Sequence, residues 1–238
     1  MLFDLQSRGR RTFVKFIYLG LAILLGGGLV LFGVGAGTGG GGLIDAFTGG
    51  GTDATVQVSS AEKRAKHATT VEPKNAQAWA DLAKARYQTA GLGENYDPTQ
   101  NVFTESGVAK LQQAVTAWQT YLELDDKPDP NLARLMALAY AETGLNQPAK
   151  AAEALEIVTE ADPSASSYSQ LANYAYIANE FRKGDLAAKK AVELAPESQR
   201  KLVKQQLADV RDQVVQQQLQ QQVQQQVEDG DVETKTTK

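Results

Sequence analysis

The chain has 238 residues, a formal charge of −4, a single His and no Cys. Without Cys there can be no disulfide, no thiolate metal site and no Cys nucleophile. The charge is uneven: Arg8, Arg10, Arg11 and Lys15 stand against Asp4 alone in the first fifteen residues, which leaves −7 on the remainder, and an acidic body lacks the clustered cations that would make nucleic acid a partner.

In chain order, residues 1–15 form a basic segment expected in the cytoplasm. From Phe16 to Ala36 there are 21 residues without a charge. At 1.5 Å per residue such a helix reaches about 32 Å, against a hydrocarbon core of roughly 30 Å, so the segment is expected to span a lipid bilayer as a single transmembrane helix. No basic residue follows it until Lys63, which places the amino terminus inside and the rest of the chain on the extracytoplasmic side. A cleaved signal peptide is the competing reading, with the small residues Gly35-Ala36-Gly37 at the junction; it sends the rest of the chain outward as well. Fourteen of the 21 Gly residues lie between Gly20 and Gly51, and residues 37–59 read as a Gly-rich tether with a root-mean-square reach of about 27 Å. Gly35, Gly37 and Gly40 match a dinucleotide-binding spacing, but no strand pattern precedes them and no helix opens after them, so cofactor binding is not expected.

The packed region is expected over 60–227. Ser60 is read as the cap of a helix reaching Val71. Helices are then expected over 76–89 and 105–125, separated by an insertion from Thr89 to Thr104 that contains Tyr96, Asn101 and Phe103. It reads either as a cover folded over a groove or as a solvated excursion. Helix pairs follow at 131–143 with 148–161 and at 165–180 with 184–195. A closing helix is expected from Glu197 to Val227, with Val203, Leu207, Val210 and Val214 on one face. Beyond Val215 the pattern loosens among Gln residues, and residues 228–238 are expected to be disordered.

Several of these helices carry the same punctuation. Ala61, Ala65, Ala68 and Pro73 recur as Ala151, Leu155, Val158 and Pro163, and again as Gly184, Ala188, Ala191 and Pro196. Small residues at these intervals form one helical stripe that a neighbouring helix can approach closely, and the proline ends the unit. Ahead of them come Trp79, Leu82, Ala83 and Tyr87; then Met136, Ala137 and Tyr140, with Gly144 at the turn; then Tyr168, Leu171 and Ala172, with Tyr174 and Tyr176 flanking the aromatic position and Asn179 where a turn Gly would stand. This pattern resembles the tetratricopeptide repeat (TPR) family, whose units are helix pairs about 34 residues long. The resemblance covers residues 60 to 200 and implies an all-α fold: a short TPR-like helical solenoid behind the transmembrane helix.

The resemblance also implies a function. In TPR proteins the first helix of each pair lines a concave groove for a protein or peptide partner. Carried onto this chain, the groove positions are Gln77, Lys84, Tyr87 and Gln88; Asn131, Arg134, Leu138 and Glu142; and Ser166, Ser169, Asn173, Tyr176 and Ile177. Lys84, Tyr87, Asn131, Arg134, Asn173 and Tyr176 are the leading candidates. Ala80 stands where a carboxylate clamp would need its first Lys, so that clamp is not expected. His67 reads as a surface residue among Lys63, Arg64 and Lys66. No spacing assembles a nucleophile, a base and an orienting group, so neither catalysis nor a cofactor or metal is expected. The layout is similar to bacterial anchored TPR proteins associated with the Sec translocon and with the chaperoning of exported chains. A homo-oligomer built through the membrane span and the Gln-rich helix is the alternative expectation.

Overall fold

The computed structural model describes residues 52–235, with side chains described over 57–223. The expected membrane span at Phe16 to Ala36 and the basic segment before it lie outside the described residues. Among the described residues no helix is long and apolar enough to cross a membrane.

The described chain is all-α apart from one small hairpin of strands. It runs α1 (Thr52–Val71), α2 (Ala76–Ala90), a 3-10 turn (Gly93–Asn95), β1 (Tyr96–Asp97), β2 (Val102–Phe103), α3 (Glu105–Leu124), α4 (Pro130–Tyr140), α5 (Pro148–Ala161), α6 (Ala165–Ile177), α7 (Phe181–Leu194) and α8 (Glu197–Lys235). Helix starts follow local chemistry. The side chains of Asn75, Thr104, Asp129 and Ser164 each accept a first-turn N–H, and Ser164 and Ser167 complete a reciprocal capping box. Pro130 and Pro148 stand in first turns, where the missing N–H costs nothing.

Boundaries shift by up to three residues at the end of α4, the end of α6 and the start of α7, and by more at the two ends of the described chain. The first helix begins at Thr52, so Ser60 lies in its interior and the tether expected up to residue 59 already includes two helical turns. A Ser costs a helix interior only a few tenths of a kcal/mol, too little to stop a helix that is held elsewhere. At the other end, α8 continues to Lys235 rather than closing at Val227.

Helices α2 and α3, α4 and α5, and α6 and α7 pack as successive pairs; α1 lies on α2, α5 on α6, and α8 on both α6 and α7. The recurring small residues face these contacts. Ala151, Leu155, Val158 and Ala191 are fully buried, while Ala65 is 8% exposed. Leu82, Leu111, Met136, Leu155 and Val158 are the largest fully buried side chains, each contributing about 1.5–3 kcal/mol of transfer free energy. Gly184 shows why size matters at this stripe: a Cβ there would sit 2.5 Å from Cδ1 and Cε1 of the Tyr176 ring. Gly144 is similarly confined, with Leu111 Cδ1 at 3.1 Å from where its Cβ would be. The left-handed residues that turn the chain between paired helices are Asn146 and Asn179, at φ of 50° and 63°, not Gly144. Asn tolerates this region because its short amide can bond locally. Glu180 N–H then donates to Ala175 O at 2.8 Å, and Gln147 N–H to Tyr140 O at 2.8 Å, closing both helix ends.

Polar contacts tie successive pairs. Tyr121 OH accepts from Asp129 N–H at 2.8 Å, which sets the start of α4 against the end of α3. Trp79 Nε1 donates to the carbonyl of Pro73 at 2.9 Å, so the first bulky ring and the proline that ends α1's unit hold one another. Between α1, α2 and α3, Glu62 accepts from Lys110 at 2.9 Å and from Thr89 at 2.9 Å. Burial pushes the Glu62 carboxyl up, but the Lys110 and Thr89 hydrogen bonds and the charges of Lys110 and Arg86 outweigh it and hold the group below its usual value. Burial also lowers Arg86, whose Nε is 3.9 Å from Glu62. Lys110 is therefore the stronger partner of the pair.

Candidate functional site

The first helices of the three pairs, α2, α4 and α6, carry the expected groove residues, and exposure divides them. Lys84 on α2 and Asn131 on α4 are exposed. Tyr87, Arg134 and Asn173 are half-buried. Arg134 is held lightly, its Nη2 lying 3.7 Å from Asp162 Oδ2 across two exposed side chains. Gln77 is engaged along its own helix with Asp81 at 2.8 Å.

Tyr176 and Ser169 do not belong to an open face. Tyr176 is 2% exposed, its ring lies on Gly184 and its hydroxyl donates to Asp185 Oδ1 at 2.9 Å. Arg211 Nε of α8 donates to the same oxygen at 3.1 Å and its guanidinium sits 5.7 Å from the centre of the Phe181 ring. Burial, then the Asp185 carboxylate, raises the Tyr176 phenol well above its usual range. Tyr176 thus joins α6, α7 and α8 rather than facing a ligand. Ser169 is also buried, its hydroxyl turned back to the Ala165 carbonyl at 2.7 Å. The missed signal was Gly184: a residue that small beside an aromatic position means that the ring is folded onto it.

Tyr174, on the other side of the aromatic position, is buried as well. Burial first, and then the nearby Tyr174 and Tyr96 hydroxyls, push the Tyr87 phenol to about 12. Tyr174 is itself raised by burial and by the Glu142 carboxylate. Tyr87 and Tyr174 lie with the core, Tyr174 at 9% exposure and Tyr87 packed against it half-buried.

The insertion between α2 and α3 folds as a small hairpin. Its two strands pair Tyr96 with Phe103 and Asp97 with Val102, and the Tyr96 and Phe103 rings meet edge to face at 5.3 Å. The turn is set by Asp97 Oδ1, which accepts from Thr99 N–H at 2.8 Å and from Gln100 N–H at 3.2 Å. Its base is fixed by Asn95 Nδ2 donating to Thr89 O at 2.9 Å and by Thr104 Oγ1 donating to Glu94 O at 2.8 Å. Gly107 leaves room for the Asn95 carbonyl to press on α3, where a Cβ would collide with it. The base of the segment is thus fixed against α3, while its tip, Pro98 to Val102, is exposed.

His67 is exposed. Among the described residues no group of three or more His, Cys, Asp or Glu side chains is placed to hold a metal ion. Neither the protein-family models nor the curated protein sequences contain a match to this chain.

Proposed function

We propose that the chain is a noncatalytic, membrane-anchored scaffold of TPR type that docks a protein or peptide partner on the outer face of the cytoplasmic membrane, in protein export or envelope assembly. The observation that supports the docking reading is that the first helices of the three successive pairs carry exposed Lys84 and Asn131 and half-buried Tyr87, Arg134 and Asn173, with Arg134 only lightly held by Asp162. Rings give contact area to an extended or helical peptide, while amides and cations bond its backbone and acidic groups. The anchoring half of the proposal rests on the uncharged stretch from Phe16 to Ala36 and the basic residues before it. The TPR reading is supported by successive helix pairs whose buried small residues recur in register.

In-cell photocrosslinking from Arg134, with identification of what is captured, tests the proposal. A different protein is expected in the crosslink, and Arg134→Glu should weaken its capture without changing helicity, because the exposed Arg134–Asp162 pair contributes little to stability. Capture left unchanged by Arg134→Glu would remove this residue from the site. The second reading, a self-assembling component, is favoured by one observation: Leu219 and Val223 of α8 are 49% and 58% exposed. Recovery of copies of this chain alone would decide for it.

A further inference from the structure

The outer face of α1 carries positive charge that the stack does not answer. Lys63, Lys66, His67 and Thr70 fall within about 100° of one another round this helix, with Arg64 at the edge of the same side and Lys74 in the turn that follows; all six are exposed. Ala65 and Thr69, 8% and 7% exposed, mark the inward side. Between Asp53 and Glu72 the helix sets Lys63, Arg64 and Lys66 against Glu62 alone. That acid is turned inward, where it accepts from Lys110 and Thr89 and lies beside Arg86, so two other cations already answer it. Glu72, past the helix end, is taken by Asn75 at 2.7 Å. Among the described residues Lys63, Arg64, Lys66 and Lys74 have no ion-pair partner. Solvation asks a helix face for polarity, not for one sign, and α7 meets it with a mixture of Arg182, Asp185, Lys189 and Glu193. On α1 the sign is single, in a chain whose residues beyond the first fifteen carry −7.

We infer that this face of α1 lies on the anionic headgroups of a lipid bilayer. The inference rests on the proposed anchor at Phe16 to Ala36. Only residues 37–51 separate that anchor from the start of α1, and a Gly-rich chain of that length has a root-mean-square reach of about 21 Å. So short a tether gives the stripe a high local concentration at the bilayer, where contacts too weak to bind alone become occupied. Charge supplies the attraction, at about fivefold for each Lys or Arg near an anionic surface. A protein partner draws most of its affinity from buried bulky anchors, and the one exposed large apolar side chain of α1 among the described residues is Val71, at its end. A plane of phosphates needs no such anchor.

Energy transfer to a headgroup dye tests this. The chain has no Cys, so Thr70→Cys puts a single donor label on the face. The full chain is reconstituted in vesicles of phosphatidylcholine, alone or mixed with phosphatidylglycerol, and should float with both through its apolar span. Strong transfer is expected only with phosphatidylglycerol, and it should fall as salt rises. Lys63→Gln combined with Lys66→Gln should lower the ratio of docked to free label about 25-fold, with unchanged circular dichroism because both positions are exposed. Lys201→Gln combined with Lys204→Gln makes the same charge change on exposed positions of α8 and should leave the ratio alone. Equal transfer in the two lipids, indifference to the loss of Lys63 and Lys66, or an equal response to the α8 pair would overturn the docking face while the anchor stands. Failure to float with phosphatidylcholine would overturn the anchor instead. In that event, salt-sensitive flotation with phosphatidylglycerol that needs Lys63 and Lys66 would still support the face, and its absence would overturn the face as well. Transfer that follows protein density at fixed lipid composition would overturn it in favour of a second copy.

Discussion

Helices α2 to α7 and the far part of α8 are both continuous helix with recurrent apolar residues, yet only the first set is held by neighbours. In the paired helices the recurring positions are closed: Ala83, Ala114, Ala151 and Ala191 are fully buried. Along α8, Val203 and Leu207 are 7% and 6% exposed and Val210 and Val214 are half-buried, whereas Leu219 and Val223 are open. Spacing separates the two. Val203, Leu207, Val210 and Val214 alternate four and three residues and stay on one side of the helix. Val215, Leu219 and Val223 advance by fours, and each step carries them about 40° further round the helix. Apolar content makes a helix sticky, but the period decides whether one neighbour can cover it.

The largest expected effect breaks the close side of this comparison. Gly184→Trp must displace the Tyr176 ring and its bond to Asp185, costing about 3 kcal/mol by overpacking. Thermal or denaturant unfolding measures it, and a normal melting curve would mean that α6 and α7 do not touch there.

A smaller, pH-dependent effect is expected at the charged contact joining α1 to α2 and α3. Glu62→Gln should cost about 1.5 kcal/mol near neutral pH, because it removes a carboxylate that accepts charge-assisted hydrogen bonds. The Glu62 carboxyl sits below its usual value of 4.5 in the folded chain. Its contribution is therefore fully present above that value and is lost as pH falls through the lower, folded one. Stability curves of the parent and Glu62→Gln should converge in acid; a constant gap across pH would show that the charge is not what matters.

Below these comes Ser164→Ala, which removes the side chain accepting Ser167 N–H at 3.1 Å. A loss of about 1 kcal/mol is expected on chemical denaturation. The smallest effect belongs to the loose side. Leu219→Gln should change unfolding by less than about 0.5 kcal/mol, as exposed substitutions do, and a larger loss would reveal a partner on far α8.

The same contrast explains what the sequence could reveal. The helix pairs were legible because small residues, prolines and caps recur at fixed intervals, and these are local signals. Ser60 misled because a potential cap is also a tolerable interior residue. Gly144 stands in the turn as read, but its smallness serves close approach to the Ala139 carbonyl and Leu111, while Asn146 supplies the left-handed residue. At the candidate site, Lys84, Asn131 and Arg134 were reached from register alone. Tyr176 failed as a groove residue because the packing of α7 through Gly184 covers its ring, which no local period announces. The order of the insertion depends on contacts between distant segments that no local period encodes.

Amide hydrogen exchange over the full chain, at two protein concentrations, tests most directly whether the helix pairs form one self-sufficient stack from which far α8 projects. Amides of α2 to α7, and of α8 as far as Val214, should exchange slowly and at the same rate at both concentrations. Amides from Gln216 to Val223 should exchange fast. Protection of that far segment equal to that of the stack, and rising with concentration, would contradict this and make self-assembly the chain's organising principle.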